Sequence, residues 1–248
     1  MEKQNKFGAL SKEYRAARKG YPKELFTYLQ DLIGKEHVAT LDLGCGTGIA
    51  TRELKEYDFD VIGADKEDEM IDKAKQESSD TPYIIASAEK IPFESERFDL
   101  VTAFTSFHWF NNEEALTEIW RVLKKGGVFF AAVKINRKTE DTEQFRKGYQ
   151  AIFKKYAGEH YSNIKNHSNK EFLTRIFTNL AEKSFNIEER SSIEESLTLV
   201  RSLSLWNLVS DEDKPKMLEE LKDFYEQNLV DGFVLQKREI ATIAGFKE

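Results

Sequence analysis

Apolar residues along the chain alternate between two spacings, one suited to helices and one to buried strands. Leu25, Phe26, Leu29, Leu32 and Ile33 recur every three or four positions between Pro22 and Gly34, predicting an amphipathic helix with proline in its first turn and glycine at its stop. A short apolar run over 38–43 then meets a glycine cluster, a helical pattern covers 49–57, and 59–64 reads as a strand, which together make one βαβ unit. The alternation continues with a helix over 68–77, a strand over 83–86, and a strand over 98–103 that follows the turn-prone Glu94-Ser95-Glu96-Arg97. A helix over 113–123 carries Leu116, Ile119, Val122 and Leu123 on one face. Gly126-Gly127 ends it and leads into 128–133, whose unbroken apolar character suits a strand buried on both faces of a parallel sheet. Beyond Lys134 the pattern predicts helices over 143–156, 171–180 and 216–228 and strands over 185–190 and 233–244. Strands alternating with helices imply a doubly wound sheet, with the last two strands joining it and the extra helices covering strand ends.

Composition narrows the classes. The 248 residues are 40% hydrophobic and 33% charged with four prolines, an ordinary globular composition, and no proline- or glycine-rich linker divides them. One domain over 1–248 is the reading: a cap segment over 1–34, a ligand-binding core over 35–135, and remaining strands and helical cap elements over 136–248. The formal charge of −7 opposes a phosphate backbone, so a small-molecule partner is favoured over nucleic acid. No apolar run reaches membrane-spanning length and the first residues lack a secretory apolar stretch, so no membrane partner and a cytoplasmic location are expected. A single cysteine, Cys45, allows no intrachain disulfide, and His37, His108, His160 and His167 show no metal-ligand spacing, so no metal is expected.

The strongest chemical signal is Leu41-Asp42-Leu43-Gly44-Cys45-Gly46-Thr47-Gly48, a strand entering three alternating glycines and then a helix. Glycine has no Cβ and tolerates positive φ, so such a loop turns sharply and lets a ligand touch backbone. Its spacing differs from the G-x-G-x-x-G fingerprint that cradles a diphosphate, which favours a ligand without one. Asp42 at the strand end needs a cationic or hydrogen-bonding partner if buried, and the amino group of a methionine moiety would supply one. Asp65, 17 residues after Gly48 (65 − 48), closes the second strand where a carboxylate can accept both hydroxyls of an unphosphorylated ribose.

With these residues in place the sequence resembles the class I S-adenosylmethionine-dependent methyltransferases, in the small-molecule branch of trans-aconitate methyltransferase-like proteins with a type 11 methyltransferase domain. The resemblance covers nearly the whole chain. It implies a Rossmann-like seven-stranded mixed α/β sheet with helices on both faces and a helical cap, S-adenosylmethionine as cofactor and S-adenosylhomocysteine as product. It places the methionine end on Asp42, Gly44, Gly46 and Gly48 and the ribose on Asp65. Ser87-Ala88-Glu89-Lys90-Ile91-Pro92-Phe93 is similar to the family's adenine-side loop, with Ser87 where aspartate is usual, and gives Ala88 and Glu89 as cofactor contacts. Tyr14, Arg18 and Tyr21-Pro22 resemble an N-terminal segment whose tyrosine and arginine close over the cofactor. The stretch from Phe104 to Phe110 is similar to the family's His-Trp segment, giving Thr105 to the cofactor, His108 to catalysis and Trp109 to the acceptor. The stretch from Leu197 to Ser204 resembles a cap segment and gives Arg201 to the acceptor.

Blander readings stand beside these. Cys45 is a small loop residue rather than a nucleophile, since no histidine stands nearby in sequence. His108 is a base, a hydrogen-bonding group or a plain loop residue; Trp109 packs or binds; Arg201 is a solvated helical charge or a carboxylate partner. The leading function is methyl transfer to a small acceptor, with a carboxylic acid suggested by the family, by a monomer or homodimer. The alternatives are methylation of a larger acceptor, a non-catalytic cofactor-binding module, and a nicotinamide oxidoreductase, the last disfavoured by the glycine spacing.

Overall fold

The computed structural model describes residues 20–158 and 169–248. Tyr14 and Arg18 lie outside the described residues.

The first half follows the hydrophobic pattern closely. Helix α1 (Lys23–Ile33) starts after Pro22 and ends at Gly34 in the left-handed conformation (φ 65°), a stop that a residue with Cβ adopts only under strain. Strand β1 (Ala39–Leu43), helix α2 (Ile49–Glu56) and strand β2 (Asp60–Asp65) form the first parallel crossover. Helix α3 (Asp68–Glu77), β3 (Tyr83–Ile85), β4 (Phe98–Phe104) and α4 (Glu113–Val122) follow. Then come β5 (Leu123–Asn136), α5 (Glu140–Ala157), α6 (Asn169–Leu173), β6 (Asn179–Ser191), α7 (Ile193–Arg201), α8 (Lys214–Gln227), the two-residue β7 (Leu229–Val230) and β8 (Phe233–Phe246).

The sheet runs in the order β3-β2-β1-β4-β5-β8-β6, with β7 paired to β8. This is the Rossmann-like α/β sheet of seven main strands. β1 through β5 pair in parallel. Lys247 exchanges backbone hydrogen bonds with Gly126 and Gly127, and Arg137 donates to Lys237, so β8 runs against β5 and the sheet is mixed. From β1 the chain moves outward to β2 and β3, then returns to β4 on the other side of β1. Right-handed crossovers moving in opposite directions place their helices on opposite faces, and the reversal leaves a crevice at the strand ends between β1 and β4.

Three readings of the second half need correction. The Gly126-Gly127 pair does not separate helix from strand: β5 begins at Leu123, directly after α4, and takes the glycines into the strand. Gly126 has φ 72° and β5 shifts register against Phe98–Leu100, so the pair forms an irregularity inside the ladder rather than a turn before it. The helix predicted over 171–180 is only α6 and one further turn. Leu173 and Phe177 are both buried, and their four-residue spacing mimics a longer helix while Asn179 already starts β6. Helix α7 is a helix whose bounds the hydrophobic pattern did not give, since its segment is short and of mixed polarity, although Ser192 and Glu195 form a capping box at its start.

By packing, the described residues form two compact units: 20–135 with 169–185 and 240–248, and 136–158 with 186–239. The first has an aliphatic and aromatic core that includes Leu41, Leu43, Val101, Leu116, Ile119 and Phe129. The second packs Phe153, Val200, Met217, Leu221, Tyr225 and Val234. Among the described residues no helix is long and apolar enough to cross a membrane.

Candidate functional site

Strand register builds the site from underneath. Tyr83, Gly63, Asp42, Thr102 and Phe130 stand side by side on β3, β2, β1, β4 and β5, and in-register residues of parallel strands face the same way. Thr102 is therefore positioned to donate its hydroxyl to Asp42 Oδ1 at 2.8 Å, while Thr51 from the first turn of α2 donates to Oδ2 at 2.6 Å. All three residues have no exposed surface. Burial is the main force on the Asp42 carboxyl and raises its pKa to about 6; the two hydroxyls oppose this and the charge of Asp65 adds to it. The partner that Asp42 requires is thus internal. Its carboxyl ties the end of β1 to β4 and to the start of α2.

The loop itself uses its glycines for different ends. Gly44, Gly46 and Gly48 all have positive φ, at 64°, 55° and 77°. A Cβ on Gly44 would lie 2.6 Å from Ser106 Cβ, and one on Gly48 would lie 2.4 Å from the Tyr83 hydroxyl oxygen. These two glycines admit the protein's own side chains, whereas among the described residues nothing stands within 4 Å of the Cβ position of Gly46. That open face leaves backbone free to meet a ligand. Gly63 belongs to the same design, because a Cβ there would meet the Tyr83 ring at 2.6 Å.

Asp65 closes β2 beside this open face. Its Oδ2 accepts the Gly46 N–H at 2.9 Å and its Oδ1 accepts the Glu67 N–H at 3.0 Å. Each carboxylate oxygen has a second lone pair, so two further donors on adjacent carbons can be accepted without displacing the loop. The Cys45 thiol is pushed well above its ordinary pKa, first by burial and then by the charges of Asp42 and Asp65, so it stays protonated and unreactive.

On the β3 side, Ser87 and Lys90 form an isolated bridge. Ala88 is buried and Glu89 is exposed, its Oε1 accepting from Asn112 Nδ2 at 2.8 Å and its Oε2 from the Ser87 hydroxyl. Helix α4 pins the same loop: Arg121 donates to the Phe93 and Ile91 carbonyls at 2.8 and 3.0 Å, and Glu118 accepts the Ile91 N–H at 2.9 Å. Neither Glu118 nor Arg121 was singled out in the sequence.

On the β4 side, Thr105 has φ 54°, a conformation that costs a β-branched residue roughly 1–3 kcal/mol. It is held by its N–H to the Ala132 carbonyl at 2.7 Å and by its hydroxyl against that of Tyr21 at 2.9 Å. The turn that follows sends the Ser106 hydroxyl back to the Leu43 carbonyl at 2.8 Å and leaves His108 and Trp109 exposed, with their rings 4.8 Å apart. The loop around the His108 ring shields part of it from water, and this desolvation lowers its pKa, which favours neutral imidazole at pH 7. Asp42, Gly44, Gly46, Gly48, Asp65 and Thr105 thus converge on the β1–β4 crevice, with Ala88, Glu89, His108 and Trp109 on the loops around it. Arg201 belongs to the helical unit, where it ends α7 and donates to Glu194 at 3.1 Å. Among the described residues no group of three His, Cys, Asp or Glu side chains is placed to hold a metal ion.

An open glycine backbone beside a ribose-competent carboxylate, at the switch point of such a sheet, defines an α/β protein that takes a nucleoside cofactor. Comparison with known proteins gives the rest. The profile of a methyltransferase domain matches residues 41–131. An uncharacterized methyltransferase of Schizosaccharomyces pombe is 33% identical over 213 residues, covering 85% of this chain and 83% of that one. The malonyl-[acyl-carrier protein] O-methyltransferase of Salmonella typhimurium is 33% identical over 98 residues, 39% of each chain. A solved structure from Anaeromyxobacter dehalogenans, described as a type II methyltransferase, superposes with a TM-score of 0.69 at 23% identity, covering 92% of this chain and 97% of that one. The chain belongs to the class I S-adenosylmethionine-dependent methyltransferases, and S-adenosylmethionine is its cofactor.

Proposed function

We propose that this methyltransferase acts on a small molecule and that the group it methylates is a carboxylate, as in the trans-aconitate methyltransferase-like branch. The supporting observation is the exposed pair at the end of β4. Trp109 is 58% exposed next to His108, a large apolar face set one turn from Thr105 and unused by the protein's own core. S-adenosylmethionine supplies a methyl group already activated on a sulfonium. The chain has to align the acceptor and keep water out, and alignment alone can contribute ~7–11 kcal/mol. Gly44, Gly46, Gly48 and Asp65, with Ala88, Glu89 and Thr105, hold the cofactor in this reading, together with Tyr14 and Arg18; Asp42 holds the loop.

A carboxylate arrives deprotonated, so His108 has only to orient it as a neutral hydrogen-bonding group. Arg201 pairs with the acceptor through its planar fork. Its present partner Glu194 is 74% exposed, so exchanging one carboxylate for another costs little. The Salmonella relative, by its name, O-methylates a malonyl group, which supports a carboxyl acceptor. Its acceptor is carried on a protein, and that favours the second reading, a larger acceptor. In the first reading the enzyme works in the cytoplasm as a monomer or homodimer, without nucleic acid.

The test is a screen of carboxylic acids, phenols and amines for release of S-adenosylhomocysteine, with methyl esters identified by their lability to base. Turnover of a free carboxylic acid is expected, and Arg201→Ala should raise its KM about tenfold while leaving S-adenosylhomocysteine affinity unchanged. Turnover confined to phenols or amines would overturn the carboxylate, and turnover confined to carrier-bound acids would establish the larger acceptor.

A further inference from the structure

Residues 20–22 are fastened to the site by a side chain outside every motif described above. Glu53, on α2, accepts the Tyr21 backbone N–H on both carboxylate oxygens, at 3.2 and 3.1 Å. A Cβ on Gly20 would stand 1.5 Å from Glu53 Oε1, so the carboxyl lies directly against the glycine backbone. Lys134 on β5 donates to the Gly20 carbonyl at 3.3 Å and stands 5.4 Å from the centre of the Tyr21 ring. That ring packs on Phe104 at 4.7 Å, which carries its hydroxyl to Thr105 Oγ1. Thr105 is the left-handed residue before Ser106, and Ser106 holds the Leu43 carbonyl at the entrance of the glycine loop. The far end of that loop, Gly48, opens α2, the helix carrying Glu53.

We propose that Glu53 is a positioning residue for cofactor binding: it fixes Gly20 and Tyr21 to α2 so that the Tyr21 hydroxyl holds Thr105, and with it the β4 side of the glycine loop, in the binding geometry. This rests on the assignment of that loop to S-adenosylmethionine.

A consequence follows for pH. Burial is the largest influence on the Glu53 carboxyl and raises its pKa to about 7, with Glu56 adding to the rise and the Tyr21 N–H, Lys134 and Arg52 opposing it. Among the described residues, the charged groups that act on it are Arg52 and Glu56 from its own helix and Lys134 from β5. Detaching residues 20 and 21 rewets the carboxyl and returns it toward its ordinary value. Docking therefore takes up a proton: its advantage is complete below the ordinary carboxylate pKa and is lost as pH rises through about 7.

The experiment is calorimetric titration of the whole chain with S-adenosylhomocysteine at several pH values, with a melting curve for each variant. Wild type should weaken by up to about tenfold between pH 6 and pH 8. Glu53→Gln keeps the acceptor for Tyr21 but cannot ionise, so it should bind within about threefold of wild type at pH 6 and lose that part of the slope. His108 and Asp42 titrate equally in both, and the difference between them isolates Glu53. Glu53→Ala should bind about tenfold more weakly or worse at every pH, and Tyr21→Phe, which removes only the hydroxyl and serves if the alanine variant fails to fold, should bind several-fold more weakly. Wild-type affinity in a folded Glu53→Ala or in Tyr21→Phe, or identical slopes in wild type and Glu53→Gln, would overturn the proposal. Failure of wild type itself to bind would remove the loop assignment and this proposal together.

Discussion

The two compact units solve different problems. In the sheet unit, buried polar groups are placed by strand register and matched singly: Thr102 and Thr51 with Asp42, Ser106 with the Leu43 carbonyl, Gly46 with Asp65. In the helical unit, the interior is a set of overlapping ring contacts among Phe145, Tyr149, Phe153, Phe224 and Tyr225, with centroids 4.7 to 6.5 Å apart. A singly matched arrangement has no substitute when one member is lost. An overlapping one redistributes the loss, because dispersion is spread over many weak contacts. A cofactor of fixed shape calls for the first kind of construction, and here that is where the candidate site lies.

The contrast can be broken or sharpened by substitution. The largest effect is expected at Gly44→Ala, which puts a Cβ at φ 64° and 2.6 Å from Ser106 Cβ. Strain and overlap together should cost about 2–4 kcal/mol and remove most affinity for S-adenosylhomocysteine, read by melting and calorimetry. A variant as stable and as tight-binding as wild type would show a loop far more pliant than its contacts suggest. Next is Asp42→Ala, which strands two buried hydroxyls and should cost about 2–3 kcal/mol in urea denaturation. Asp42 also carries a pH signature. Its folded pKa, about 6, lies above the unfolded one, so its stabilising contribution is complete below the ordinary carboxylate value and is lost as pH rises through about 6. That loss amounts to about 2–3 kcal/mol in wild type, and Asp42→Asn should abolish it. A pH profile identical in the two proteins would mean that Asp42 is not buried as a carboxyl in solution. The smallest effect is expected in the helical unit, where Phe153→Leu, at a residue with no exposed surface, should cost about 1–2 kcal/mol and leave S-adenosylhomocysteine affinity within twofold. A large loss of affinity there would erase the distinction between the units.

The same contrast explains what was legible in the sequence. Helix α3 falls on the residues its pattern predicts, and α1, α2, α4 and strands β1 to β4 lie within one or two residues of theirs, because one period dominates each segment and a proline, glycine or acidic turn marks its end. The glycine loop and Asp65 were legible because backbone conformation leaves a residue-type signature. The partners of Asp42 were not: Thr102 lies 60 residues away, and only strand register brings it alongside. Tyr83 was unreadable for the same reason, its role lying in the space that Gly48 and Gly63 leave for it. Glu53 and Arg121 carried no signal in the sequence, because nothing local distinguishes a charge facing solvent from one facing a neighbouring loop. In the second half, Leu173 and Phe177 imitated a longer helix and Gly126-Gly127 imitated a turn, each a pattern that two structures share.

The most direct measurement is calorimetric titration of wild type and Asp65→Ala with S-adenosylhomocysteine under identical conditions. Asp65 orders Gly46 and stands where two ribose hydroxyls would donate, and hydrogen bonds to a charged group contribute about 1.5–3 kcal/mol each, so the substitution should weaken binding by about a hundredfold or more while the protein remains folded. Equal affinity in the two proteins would contradict the assignment of this crevice to the cofactor.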